Sequence, residues 1–160
     1  MDSALPINVV LRDASDKNVL DLVRDWIDVL AAQCYQIVFD KLGYGLAYGE
    51  PGADCIRKAI QNYRSPDYYP GIDNFVVSNW RTARGGNPEP KQTVTWYKPN
   101  STRMKGAVSF DLPLNGQWSD LTADFVFFEG TGENAGYPLG LEEIRSWRRT
   151  QREIEAADPS

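Results

Sequence analysis

From Ser15 onward the apolar positions Val19, Leu22, Val23, Trp26, Ile27 and Leu30 recur at spacings of three and four. That period predicts one helix with a single apolar stripe. Ser15 suits its N-cap, and Asp13, Asp16 and Asp21 sit where the helix dipole favours anions. "CYQIVFDKLGYG" predicts a short second helix, bent away from the first and ended by the permissive Gly43 and Gly45. In "EPGADCIRKAIQNY", Pro51 lies near a third helix start and Cys55, Ile56, Ala59, Ile60 and Tyr63 share one face, before "RSPDYYPG" stops it.

Beyond residue 74 the period becomes strand-like. "NFVVSNW", "QTVTWYK", "GAVSFDLPL" and "SDLTADFVFFE" are each rich in β-branched and aromatic residues. In the last of these, Leu121, Ala123, Phe125 and Phe127 alternate with Thr122, Asp124, Val126 and Phe128, which predicts a central strand with part of both faces covered. Asn115 and Gly116 are the pair best suited to a tight hairpin turn. "GTGENAGYP" then turns into "LGLEEIRSW", read as a strand, although Leu141, Ile144 and Trp147 also fit a helical spacing. Helices first and an antiparallel meander second predict an α+β fold, with N-terminal helices packed on a curved antiparallel sheet. Without an internal repeat or linker, residues 1–160 read as one domain with a core over 16–147 and a polar tail over 148–160, helical or frayed.

Charge narrows the partners. Seventeen basic against twenty-two acidic residues give a net charge of -5, which disfavours nucleic acid and anionic membrane and favours a basic partner. Acids occupy the N-terminal segment where a signal peptide needs bases, and no apolar run approaches the roughly 18 residues of a membrane span, so a cytoplasmic protein is expected. Cys34 and Cys55 read as buried free thiols rather than a disulfide framework.

The chain has no histidine. That removes the usual base near neutral pH, the commonest zinc ligand and every Ser-His or Cys-His nucleophile, and no metal or cofactor is expected. "GTGENA" satisfies a loose dinucleotide pattern, but Gly136, Tyr137 and Pro138 follow where a helix must open, so a hairpin loop is expected. Arg145, Arg148, Arg149 and Arg152 are interleaved with acids and read as a solvated face.

A carboxylate base with tyrosine donors remains chemically open. Asp40, Asp111, Asp120 and Asp124 are the candidates, and Asp124 stands out among apolar strand residues. A desolvated carboxylate there could remove a proton, while pairing with a base would make it structural. "SPDYYPGIDNF" offers a different chemistry. Pro66, Pro70 and Gly71 predict a pinned loop that either displays Asp67, Tyr68, Tyr69, Asp73 and Phe75 to a partner or covers the open end of the sheet with the aromatic residues. Trp80, Tyr97 and Trp118 are expected as further exposed aromatics of a recognition surface.

The order of three helices and then strands, with the texture of "GAVSFDLPLNGQWSDLTADFVFFE" followed by "GLEEIRSW", resembles the NTF2-like superfamily, which includes ketosteroid isomerase. The resemblance implies a cone-shaped fold hosting isomerases, dehydratases, binding modules and immunity proteins of bacterial toxin systems. It sets two expectations. The first is a non-enzymatic, immunity-type inhibitor of a basic toxin domain. The alternative is a small-molecule enzyme or carrier, with Asp124 or Asp111 as base and Tyr35, Tyr44 or Tyr48 as donors inside the cone. Homodimerisation through the outer sheet face is compatible with either.

Overall fold

The computed structural model describes residues 9–11, 13–40, 42, 44–45, 52–64, 69–85, 90–129 and 136–146. Helix α1 (Asp16–Ala31) begins where Ser15 accepts the Asn18 N–H and Asn18 accepts the Ser15 N–H in return. This reciprocal cap satisfies two backbone donors that a helix start would leave orphaned. Val19, Val23, Trp26, Ile27 and Leu30 are buried as the spacing predicts, whereas Leu22 is only half-buried. The short α2 (Tyr35–Asp40) follows, then α3 (Ala53–Gln61), whose Ile56 and Ile60 enter the core together with Tyr63 just beyond it.

The strands are β1 (Val9–Leu11), β2 (Tyr44–Gly45), β3 (Gln92–Trp96), β4 (Met104–Leu114), β5 (Gln117–Phe128) and β6 (Gly136–Ser146). Their order is β1-β6-β5-β4-β3 with antiparallel neighbours, and β2 adds to β6 in parallel. The helices pack against a strongly curled half-barrel, the α+β architecture that the period change predicts. Asn115 (φ 52) and Gly116 (φ 84) make the two-residue turn between β4 and β5. On β5, Leu121, Ala123, Phe125 and Phe127 are buried on one side, and Thr122 and Val126 are buried on the other.

Three expectations change. The segment 74–80 is no regular strand; its backbone serves the tip of the β4–β5 hairpin instead. Ser78 donates to Pro113 O, Asn115 donates to Val76 O, and the Asn115 side chain accepts from Val76 and donates to Asn74 O. Strands β1 and β2 add to the expected set, because two or three residues cannot establish a period in the sequence. Cys34 and Cys55 are free but half-buried rather than buried. The segments 130–135 and 147–160, and with them the glycine-rich turn and the tail, lie outside the described residues. No helix among the described residues is long and apolar enough to cross a membrane.

Gly106 marks one of the closely packed points of the sheet. A Cβ there would come 2.3 Å from the Phe127 ring and 2.4 Å from the backbone oxygen of Thr95, and the strand ladder holds that oxygen in place. Gly106→Ala should therefore destabilise the fold by about 1–3 kcal/mol, the range for overpacking. Urea denaturation measures it, and a midpoint equal to the wild type would refute the close approach.

Candidate functional site

The sheet bends where β4 and β5 lose register. Between their pairs Pro113↔Trp118 and Asp111↔Thr122, β4 advances two residues and β5 four. The surplus is held in place by Ser119, whose hydroxyl donates to Leu112 O at 2.6 Å and accepts from the Leu121 N–H at 3.1 Å. A bulge of this kind bends the strand and re-aims a side chain. The re-aimed residue is Asp120, only 4% exposed, which accepts hydrogen bonds from the Tyr63 hydroxyl and, at 3.2 Å, from Ser146.

Around it the open end of the half-barrel is closed by rings. Tyr63, Tyr69 and Phe75 meet edge to face with centroids 5.0 to 5.9 Å apart. The Tyr69 hydroxyl lies within 3.0 to 3.3 Å of the carbonyl oxygens of Leu114, Gln117 and Trp118. Burial, and then the nearby Asp120 charge, push the Tyr69 phenol well above its ordinary pKa.

The carboxylates favoured by the sequence are elsewhere. Asp124 accepts from Ser109 at 2.7 Å and from Arg145 Nε at 2.9 Å, and Glu143 lies 3.2 Å from the same arginine. This is the pairing that makes an acid on a strand structural. Asp111 is 4% exposed and accepts from Thr122 at 2.7 Å and from the Lys91 backbone N–H at 2.7 Å, while its own N–H donates to Lys91 O. It anchors the lead-in to β3. Asp40 is exposed at the end of α2 and accepts from Gln36. Of the expected tyrosine donors, Tyr35 is half-buried, while the Tyr44 side chain and all of Tyr48 lie outside the described residues. Among the described residues Tyr63 reaches a buried carboxylate; the sequence places it on the apolar face of α3 without showing which acid it meets.

The described members of the expected recognition set do not form one surface. Asp67 and Tyr68 lie outside the described residues, Asp73 is exposed, and Tyr69 and Phe75 are core residues at 6% and 0% exposure. The loop therefore turns these two rings inward, which agrees with the covering alternative and removes Tyr69 and Phe75 from the displayed set. Trp118 is half-buried beside Phe110. Trp80 is also half-buried, with the Arg81 guanidinium 4.4 Å and the Arg24 guanidinium 5.2 Å from its ring centre. Tyr97 is exposed, but its backbone pairs with Lys105 near the start of β4, whereas Trp118 pairs with Pro113 near its end. Eight residues of strand separate those two points, on the order of 25 Å.

A groove of about 310 Å³ lies between β1 and α1. Its apolar lining includes Val9, Leu11, Ala14 and Leu22, and its polar lining is Asn18, Asp21 and Asp25. Hydrogen bonds from Lys17 and then Arg24 hold the Asp21 carboxyl below its ordinary pKa. Among the described residues no group of three or more metal-ligating side chains comes together.

Tyr69 generates a testable pH dependence. Its folded pKa is raised, so the stability it contributes is complete below the unfolded value of about 10 and is lost as pH rises past that value. Tyr69→Phe should cost about 1 kcal/mol at neutral pH through the lost hydrogen bond. It should also flatten the fall in urea midpoint between about pH 9 and about pH 11. Parallel pH curves for the two proteins would refute the assignment.

Comparison of the chain with protein-family models, curated proteins and solved structures returns no match, so its functional reading rests on residues and geometry.

Proposed function

We propose that this chain is a non-enzymatic, acidic protein-binding module whose partner is basic. The observation that carries this reading is the engagement of its interior acids. Asp111, Asp120 and Asp124 each have both carboxylate oxygens hydrogen-bonded to groups of the same chain. A general base must offer a lone pair to a substrate proton within hydrogen-bond reach, and these oxygens point at internal donors instead. They support the fold.

Charge supports the partner's sign. The protein carries -5 overall; on α1, Asp21 is paired with Lys17 and Arg24 and Asp28 with Arg81, while Asp16 and Asp25 are exposed. Such a field accelerates encounter with a basic surface and opposes encounter with an acidic one. The resemblance of element order to the NTF2-like superfamily supplies the particular form: an immunity-type inhibitor that covers the basic face of a bacterial toxin domain in the cytoplasm.

Co-expression with the product of the adjacent reading frame tests the proposal. The expected result is a stoichiometric complex whose association slows by about tenfold or more between about 50 and about 500 mM salt. Turnover of a small molecule by the purified chain, abolished by Asp120→Asn or Asp124→Asn in a folded variant, would overturn it in favour of an enzyme.

A further inference from the structure

The apolar stripe of α1 has one member that packs against the core without being fully buried by it. Leu22 falls on the stripe by spacing, yet it is half-buried and lines the β1–α1 groove. Its groove neighbours Asn18, Asp21 and Asp25 stand three or four residues from it or from one another, so a single helix face forms this wall. Opposite stands β1, the last strand in the sheet order, with Leu11 59% exposed. Among the described residues the groove lining includes two acids, Asp21, which is paired with Lys17 and Arg24, and the exposed Asp25.

We propose that this groove is the docking site for a short segment of the basic partner, one that places an apolar side chain between flanking lysines or arginines. This rests on the binding-module reading above and names the surface and the chemistry it would take. The apolar floor supplies a place for one side chain to leave water. Asp25 supplies the selection: it is exposed on the rim, whereas both oxygens of Asp21 are already taken by Lys17 and Arg24. A neutral apolar segment would satisfy the floor alone, and an acidic one would meet like charge.

Three six-residue peptides separate these contributions when titrated into the isotopically labelled protein and followed by amide shifts: one alternating arginine and leucine, one arginine and serine, one glutamate and leucine. The arginine–leucine peptide should shift Val9, Leu11, Asn18, Leu22 and Asp25 saturably, and bind about tenfold or more tighter than either control. Asp25→Lys, at an exposed position that leaves the fold intact, should weaken it by about tenfold, within the range for one close charge pair. Equal binding of the three peptides, shifts mapping to another surface, or a groove closed by a second copy of the chain in sedimentation would each overturn the groove assignment. A salt-sensitive complex with the natural partner that survives Asp25→Lys and Leu11→Ser would likewise overturn it while leaving the binding-module reading standing; an enzyme activity of the chain would remove that reading instead.

Discussion

Trp26 is the pin on which the fold turns. Its side chain is fully buried, its indole N–H donates to Val38 O at 3.0 Å, and its ring meets Phe125 edge-on at 5.1 Å. One residue of α1 thus fixes the position of α2 and of the central strand β5. A buried indole N–H without an acceptor would carry a desolvation cost of about 1–3 kcal/mol, so α2 must stay where its carbonyl can accept. The sheet for its part must curl to enclose a tryptophan, and a flat sheet would leave the stripe of α1 partly wet.

The curl has a local cause, and that cause decides what becomes of the acids. The surplus residues on β5 bend the strand and turn Asp120 inward, against the alternation that would have set it beside Thr122 on the other face. A carboxylate brought into an apolar interior is tolerated only with strong partners, and Tyr63 and Ser146 are those partners. Asp111 and Asp124 are settled in the same way on the opposite side of the sheet. Polar groups that could have been reactive are engaged in holding the bend and its flanking strands.

How far the sequence discloses this follows from which signals survive a change of register. The α1 stripe, its Ser15 cap and the Asn115–Gly116 turn are local and are read directly. The bulge is invisible for a specific reason. A slip of one residue reverses every side chain, but a slip of two preserves the inward and outward alternation, so Phe110 meets an inward residue either way. Asp120 is therefore indistinguishable from its neighbours in the sequence, and the more conspicuous Asp124 draws the catalytic reading although Arg145 and Ser109 pair with it. The Tyr69 and Phe75 loop is legible only as far as two alternatives, display or cover, for a different reason. Prolines and glycine do announce a rigid turn, but rigidity says nothing about whether the rings point outward or cap the core. Leu22 is the subtler case, because its spacing is right and yet it is half-buried beside the groove that β1 lines.

The proposed groove brings together two forces of different reach. Exposed ion pairs contribute little to stability, about 0–1 kcal/mol each, and salt screens them, so aspartates at the rim cannot by themselves hold a partner. Burial of apolar area contributes about 25 cal/mol per Å² and hardly depends on ionic strength, but it acts only at contact. On a surface that combines them, charge governs which molecules arrive and in what orientation, and the apolar floor governs how long they stay. A segment matched in charge alone would arrive fast and leave fast. Leu11 and Leu22 beside Asp25 are the arrangement that lets both conditions be met in one place, and the acidic α1 is what makes that place selective.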